Sequence, residues 1–89
     1  MRVQLSSEFY NLYKKADVRI RKAVNRKINI FQKDHLDSEL NNHELQDEYK
    51  GFRSIDITND YRAIYEEVQG GNETIAYFFL LGTHQELYR

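Results

Sequence analysis

Six polar side chains of this sequence are of types that could cleave a phosphodiester. Histidine, aspartate and tyrosine can carry a proton, and arginine can hold a phosphate through its planar fork of N–H groups. RNA cleavage uses both functions, because the 2′-hydroxyl loses a proton, the 5′-oxygen gains one and the transition state gains negative charge. The candidates are His43, Arg53, Asp60, Arg62, His84 and Tyr88. Such residues also occur on ordinary surfaces, so their presence alone leaves this function open.

Several other chemistries find no support in the sequence. It contains no glycine-rich phosphate loop, no histidine pair at metal-ligand spacing and no specific Ser-His-Asp arrangement. The absence of cysteine excludes a thiolate nucleophile, a disulfide and a cysteine-based metal site. We therefore expect a reaction that needs no cofactor and no metal.

The elements that must position these side chains form two groups. Between Lys50 and Leu81, three short apolar segments separated by turn residues predict an antiparallel meander. The last segment is apolar on both faces, which predicts an interior strand. The alternating run Arg2–Leu5 could add an edge strand.

The first part of the chain is helical in pattern. Ser6 or Ser7 can cap a first helix, and Asp17 can cap a second. Both helices carry an apolar stripe that needs a partner surface. Asp34–Tyr49 is predicted to be a loop with one helical turn at most, held to the core by its leucines. The stripes are Phe9, Leu12, Tyr13 and Ala16, then Ile20, Ala23, Val24, Ile28 and Phe31.

These patterns predict an α+β fold in which an N-terminal helical hairpin packs on a twisted antiparallel sheet of about four strands. At 89 residues the chain is expected to form one domain over residues 1–89. No apolar run is long enough to cross a bilayer, and Met1 is not followed by a signal-peptide core. We expect a cytoplasmic protein.

Charge is distributed unevenly along the chain. Residues 1–36 contain nine lysines and arginines and three acidic residues, whereas residues 37–89 contain four and eleven. A basic helix can bind nucleic acid or an acidic partner, although a solvated helix surface gives the same pattern. The candidate RNA-binding residues of this helix are Arg19, Lys22, Arg26 and Lys27.

The order of elements and three short motifs resemble the RelE/ParE toxin superfamily, and within it the YafQ-like mRNA interferases. The motifs are Gly-Phe-Arg-Ser from Gly51, Asp-Tyr-Arg-Ala-Ile-Tyr from Asp60 and Gly-Thr-His-Gln-Glu-Leu-Tyr from Gly82. The resemblance covers nearly the whole chain and implies a RelE-like fold. It also implies a bacterial type II toxin that cuts mRNA in the ribosomal A site and is neutralised by a cognate antitoxin. An oligomer is then expected only through the antitoxin complex.

The resemblance implies roles for residues at the end of the chain. His84 matches the histidine of the closing Gly-Thr-His motif, an acid/base candidate, although a strand-end histidine could also only cap a loop. Tyr88 matches a C-terminal aromatic residue that contacts RNA or assists proton transfer, and it could instead be a core aromatic. Asp60 matches an acid/base residue before the second strand of the meander, and it could be a turn residue only.

Three further residues match positions in the family pattern. His43 matches a loop histidine, a second acid/base candidate that could also be a solvated loop residue. Arg62 matches an arginine that stabilises the transition state, or it could form an ion pair with Asp56 or Asp60. Arg53 could hold phosphate or brace the sheet.

Two positions depart from the YafQ-like pattern. Asp56 replaces an active-site histidine, and Leu80 replaces an arginine four residues before the closing histidine. Because each such group can be worth about 10²-fold or more in rate, these changes could slow cleavage greatly. A gyrase-binding ParE-like toxin and a catalytically degenerate member that only binds its antitoxin are therefore the alternative functions.

Overall fold

A computed structural model describes residues 1–88. Two short 3₁₀ turns, Ser38–Leu40 and Asp47–Tyr49, flank the short strand His43–Glu44. Within the described range, no helix combines the length and the apolar character that crossing a membrane requires. The elements in chain order are β1 (Arg2–Leu5), α1 (Ser7–Lys15), α2 (Val18–Lys33), β2 (His43–Glu44), β3 (Arg53–Asp56), β4 (Tyr61–Gly70), β5 (Glu73–Thr83) and α3 (His84–Leu87).

The strands form one five-stranded sheet in the order β1-β5-β4-β3-β2. The predicted meander is confirmed, since β3, β4 and β5 pair antiparallel in sequence order. The predicted edge strand Arg2–Leu5 is also confirmed, and it pairs parallel to β5, which makes β5 an interior strand. The additional strand is β2, whose two polar residues His43 and Glu44 carry no alternating apolar pattern.

The predicted helical hairpin is present, and its capping residues act as expected. The Ser6 side chain accepts a hydrogen bond from the Phe9 N–H, and the Asp17 carboxylate accepts from the N–H groups of Arg19 and Ile20. These bonds, chiefly that from Ile20, lower the pKa of Asp17. The caps satisfy N–H groups that have no partner within the helix, and they set where each helix begins.

The apolar stripes of both helices pack on one face of the sheet. The ring of Phe31 lies 5.0 Å from that of Tyr65 and 5.3 Å from that of Phe78, between centroids, and all three are fully buried. Ile64 and Tyr65 are adjacent in β4, but their partners in β5 are Leu80 and Phe78. The strand β5 therefore contains one extra residue here, which forms a bulge. As a result Phe78 and Leu81, three positions apart, both reach this core.

The segment between α2 and β3 is more ordered than the predicted loop. It contains the two 3₁₀ turns and β2. Leu40 and Leu45 are buried as expected, whereas Leu36 is 63% exposed, so the expectation that it anchors the segment to the core is wrong. The buried leucines hold β2 against β3, which brings His43 to the sheet.

Candidate active site

The sheet face opposite the helical hairpin carries an open cleft of about 320 Å³. Strand side chains alternate between the two faces, so Ser54 and Arg62 point to this face while Ile55, Ala63 and Tyr65 belong to the core. The cleft brings together four of the six predicted site residues. It is lined by Asn41, His43, Leu45, Ser54, Arg62, His84 and Tyr88.

His84 is held at the cleft by the way α3 begins. Thr83 and Glu86 form a capping box, in which the Thr83 hydroxyl accepts from the Glu86 N–H and the Glu86 carboxylate accepts from the Thr83 N–H. The His84 N–H donates to the Asp60 carbonyl oxygen over 2.9 Å. These bonds fix the backbone of His84, while its side chain remains exposed.

Gly82 packs closely against α3. A Cβ atom built on Gly82 would lie 3.2 Å from Oε1 of Glu86 and 3.4 Å from Cδ2 of Leu87. A side chain at this position would therefore require the ends of these two flexible side chains to shift by a few tenths of an ångström. This contact gives a mild steric reason for glycine in the Gly-Thr-His motif.

Tyr88 is fixed by aromatic contacts on two sides. Its ring lies 4.6 Å from the His84 ring and 5.7 Å from the Tyr49 ring, between centroids. The Tyr49 hydroxyl donates to the Leu87 carbonyl oxygen over 3.1 Å. Tyr49 thus fastens the end of α3, and Tyr88 is a wall of the cleft, half-buried, rather than part of the main core.

Arg62 is the only lysine or arginine among the described residues that line the cleft. Its Nε atom lies 3.0 Å from Oδ1 of Asp56, and its Nη1 atom donates to the carbonyl oxygens of Thr58 and Tyr61. Among the described residues, Nη2 donates no hydrogen bond. Nη2 is therefore the donor of this guanidinium that remains for an anion.

The geometry of His43 defines which of its ring nitrogens can act as a base. Nδ1 lies 2.9 Å from the carbonyl oxygen of Asn41, which can only accept a hydrogen bond, so Nδ1 carries the proton. In the neutral ring Nε2 is then the acceptor. Asn41 adopts the left-handed conformation, with φ of 48°, which asparagine tolerates better than most residues.

The side chains of Asp60 and Leu80 are not among those that line the cleft. The Asp60 side chain is exposed and is not among those lining the cleft, and its backbone carbonyl supports His84. Leu80 lies opposite Ile64 on the cleft side of the sheet. The departure at Leu80 leaves an apolar surface there, so the positive charge of the site comes from Arg62, opposite Gly82.

Arg53 lies on the core side of the sheet, away from the cleft. Its Nε donates to Oδ1 of Asn42 over 2.9 Å, and Nδ2 of Asn42 donates to the Tyr65 hydroxyl and to the His35 carbonyl oxygen. Burial raises the pKa of Tyr65, and the Asn42 hydrogen bond and the Arg53 charge oppose that shift. This network ties the segment before β2 to the sheet, which is a bracing role.

We expect the Arg53→Met variant to lose stability rather than chemistry. Removing a hydrogen bond from a charged donor and leaving Asn42 unsatisfied should lower the free energy of unfolding by about 1 to 3 kcal/mol. Thermal unfolding and RNA cleavage, measured well below the midpoint, check this together. A variant with an unchanged midpoint but defective cleavage would instead place Arg53 on the RNA.

The basic residues of α2 lie on the helical side of the sheet. Arg26 forms an ion pair with Glu39, and Lys27 lies 3.9 Å from the same carboxylate. Arg19 lies 3.7 Å from Asp17, and both it and Lys22 are exposed. These side chains do not line the cleft. Any RNA that they bind would contact a second surface of the protein.

Four residues of the site escaped sequence reasoning: Asn41, Leu45, Ser54 and Tyr49. Asn41, Leu45 and Tyr49 lie in the segment that was predicted to be a loop, so their distance from the sheet was not predictable. Ser54 follows directly from strand alternation, because it shares a face with Asp56. That shared face was the available signal.

Residues 1–89 match the sequence model of the YafQ toxins, described as bacterial toxins of type II toxin–antitoxin systems. A search among curated proteins finds no match.

Solved structures show the same fold. YafQ from E. coli strain BL21(DE3) is similar over 100% of both chains, with a TM-score of 0.78 and 21% identity. The YoeB/ParE toxin from Agrobacterium tumefaciens is similar over 94% of this chain and 99% of that chain, with a TM-score of 0.74 and 18% identity. The E. coli DinJ-YafQ complex matches over 100% of both chains, with a TM-score of 0.64 and 22% identity.

Proposed function

Because the chain belongs to the YafQ family of bacterial toxins of type II toxin–antitoxin systems, we propose that it is a ribosome-dependent endoribonuclease that cleaves mRNA in the ribosomal A site. The observation that carries this proposal is the cleft itself. Two histidines, an arginine with a nitrogen that donates no hydrogen bond and a tyrosine line the cleft on the sheet face opposite the helical hairpin. These are the groups that a metal-independent phosphodiester cleavage uses.

In the reaction that we propose, each of these groups has one role. His43 Nε2 takes the proton of the 2′-hydroxyl, since Nδ1 is held by the Asn41 carbonyl oxygen. The 2′-oxygen attacks the adjacent phosphorus, and the bond from phosphorus to the 5′-oxygen breaks. His84 gives its proton to that 5′-oxygen, and Arg62 Nη2 binds the phosphate. The products are a 2′,3′-cyclic phosphate and a free 5′-hydroxyl.

The other residues would assist binding. Tyr88 offers a half-buried ring beside His84 on which a base can stack. The exposed cations of α2, on the other side of the sheet, would contact ribosomal RNA rather than the cleaved strand. The cognate antitoxin is the expected protein partner, and the DinJ-YafQ complex shows that a protein of this fold forms such an assembly.

A second candidate function is a member of the family that binds its antitoxin without cleaving RNA. The Asp56–Arg62 ion pair favours it, because the carboxylate offsets part of the positive charge that the phosphate needs. In this case the protein would bind the antitoxin with normal affinity and leave translated mRNA intact.

Purified protein tests these functions against each other. We expect it to cut mRNA on programmed ribosomes, to leave the same RNA intact without ribosomes, and to leave DNA supercoiling by gyrase unaffected. Inhibition of gyrase without RNA cleavage would support the ParE-like function. Folded protein that does neither, but binds the antitoxin, would support the non-cleaving member.

A further inference from the structure

Ser54 lies in the middle of the cleft floor. On one side it pairs with His43 of β2, and on the other with Ile64 of β4, so the three side chains share the cleft face of the sheet. Ser54 is 0% exposed and is one of the residues that line the cleft. Its hydroxyl therefore lies just below the surface that a bound ligand would touch.

The Ser54 hydroxyl makes no hydrogen bond with any residue in the described part of the chain. Buried hydroxyl groups are rarely left in this state, because they lose their water partners without gaining new ones. In the neighbouring carboxylate of Asp56, Oδ2 accepts from Asn41, while Oδ1 lies 3.0 Å from Arg62 Nε as an ion pair and makes no hydrogen bond with the described residues. Serine at this position is thus unfavourable unless its hydroxyl gains a partner at the cleft.

We propose that the Ser54 hydroxyl donates a hydrogen bond to a nonbridging oxygen of the phosphate bound in the cleft, which makes Ser54 a substrate-contacting residue. The inference rests on the proposed function and adds a residue to it. Arg62 and the two histidines around Ser54 favour an anionic group, and a hydroxyl bound to a phosphate oxygen forms a charge-assisted hydrogen bond.

The Ser54→Ala variant should be more stable and less active than the wild type. Removing an unsatisfied buried hydroxyl is expected to raise the unfolding midpoint by about 4 °C. Cleavage on programmed ribosomes should fall by about tenfold in kcat/KM, and binding of adenosine 3′-monophosphate to the isolated protein should weaken by a similar factor. Calorimetric unfolding, cleavage kinetics and nucleotide titration measure these three effects.

Ser6 supplies the matched control, since it is the other buried serine among the described residues. Its hydroxyl caps α1 by accepting from the Phe9 N–H over 2.9 Å. Ser6→Ala should therefore lower the unfolding midpoint and leave nucleotide binding unchanged. The opposite signs of the two midpoint shifts separate a hydroxyl kept for a ligand from one kept for the fold.

The outcomes also separate this inference from the proposed function. If the wild type cleaves RNA and Ser54→Ala matches it in kcat/KM and nucleotide binding, the Ser54 contact is wrong and the ribonuclease proposal stands. If the wild type does not cleave, but binds adenosine 3′-monophosphate in a Ser54-dependent manner, the contact stands and the reaction is wrong. If Ser54→Ala weakens the binding of 2′-deoxyadenosine 3′-monophosphate as much as that of adenosine 3′-monophosphate, the contact is with the phosphate. If only the binding of the ribonucleotide is weakened, that assignment is wrong.

Discussion

Replacing His84 by alanine is expected to slow RNA cleavage by about 10²- to 10³-fold, because the leaving 5′-oxygen would lose its proton donor. The side chain is exposed, and its backbone is held by the Thr83 capping box and the Asp60 carbonyl oxygen. The fold and the antitoxin affinity should therefore be retained. Single-turnover cleavage on programmed ribosomes measures the effect on chemistry without a contribution from product release.

Two matched variants make this test specific. His84→Gln keeps a polar side chain of similar length but cannot transfer a proton, so it should lose as much activity as alanine. His35→Gln changes a histidine that packs near Phe31 outside the cleft, and it should retain cleavage. Wild-type rates for both His84 variants would show that His84 serves only to end the strand.

The second large effect is expected at Arg62. Arg62→Ala removes the only lysine or arginine among the cleft-lining residues that the structure describes, and this should slow cleavage by about 10²-fold or more. It also leaves Asp56, only 27% exposed, without its ion-pair partner. The free energy of unfolding should fall by about 2 kcal/mol, between the values for exposed and buried pairs. Chemical denaturation and single-turnover cleavage report the two effects separately.

Variants at the same ion pair show which role dominates. Arg62→Lys keeps the charge but cannot hold Asp56, two carbonyl oxygens and a phosphate at once, so activity should stay well below the wild type. Asp56→Asn removes the competing charge at nearly constant shape and should increase cleavage several-fold. An Arg62→Ala protein that is destabilised but fully active would assign this arginine to the fold alone.

The sequence was sufficient to predict most of the fold because its signals are local. Alternation identified β1 and the first two meander strands, and a run apolar on both faces identified the third. The caps at Ser6 and Asp17, with the apolar stripes that follow them, identified both helices. The strand β2 carries no comparable signal, and it depends on the burial of Leu40 and Leu45, which is a tertiary contact. The helix α3 does carry a local signal, the Thr83-x-x-Glu86 capping box, from which its start could have been predicted.

The site could be predicted in its residue types but only partly in its arrangement. His43, Arg62, His84 and Tyr88 do line one cleft. Arg53 was not separable from this group by sequence, because bracing and phosphate binding use the same side chain. The hydrogen bond from Arg53 to Asn42 could not be predicted, because the two residues are eleven positions apart and only the fold brings them together. Pairing of Arg62 with Asp56 rather than Asp60 follows from strand register, which the turn sequence alone does not fix.

This protein is proposed to cut mRNA while it is being translated. Mapping of mRNA 5′ ends in cells that express the protein without its antitoxin tests it most directly. A reporter mRNA and an identical reporter without a start codon should be compared. New 5′ ends in frame with the codons of the translated reporter, and none in the untranslated one, are the predicted result. Growth arrest with both reporters intact, or equal cutting of both, would contradict translation-coupled cleavage.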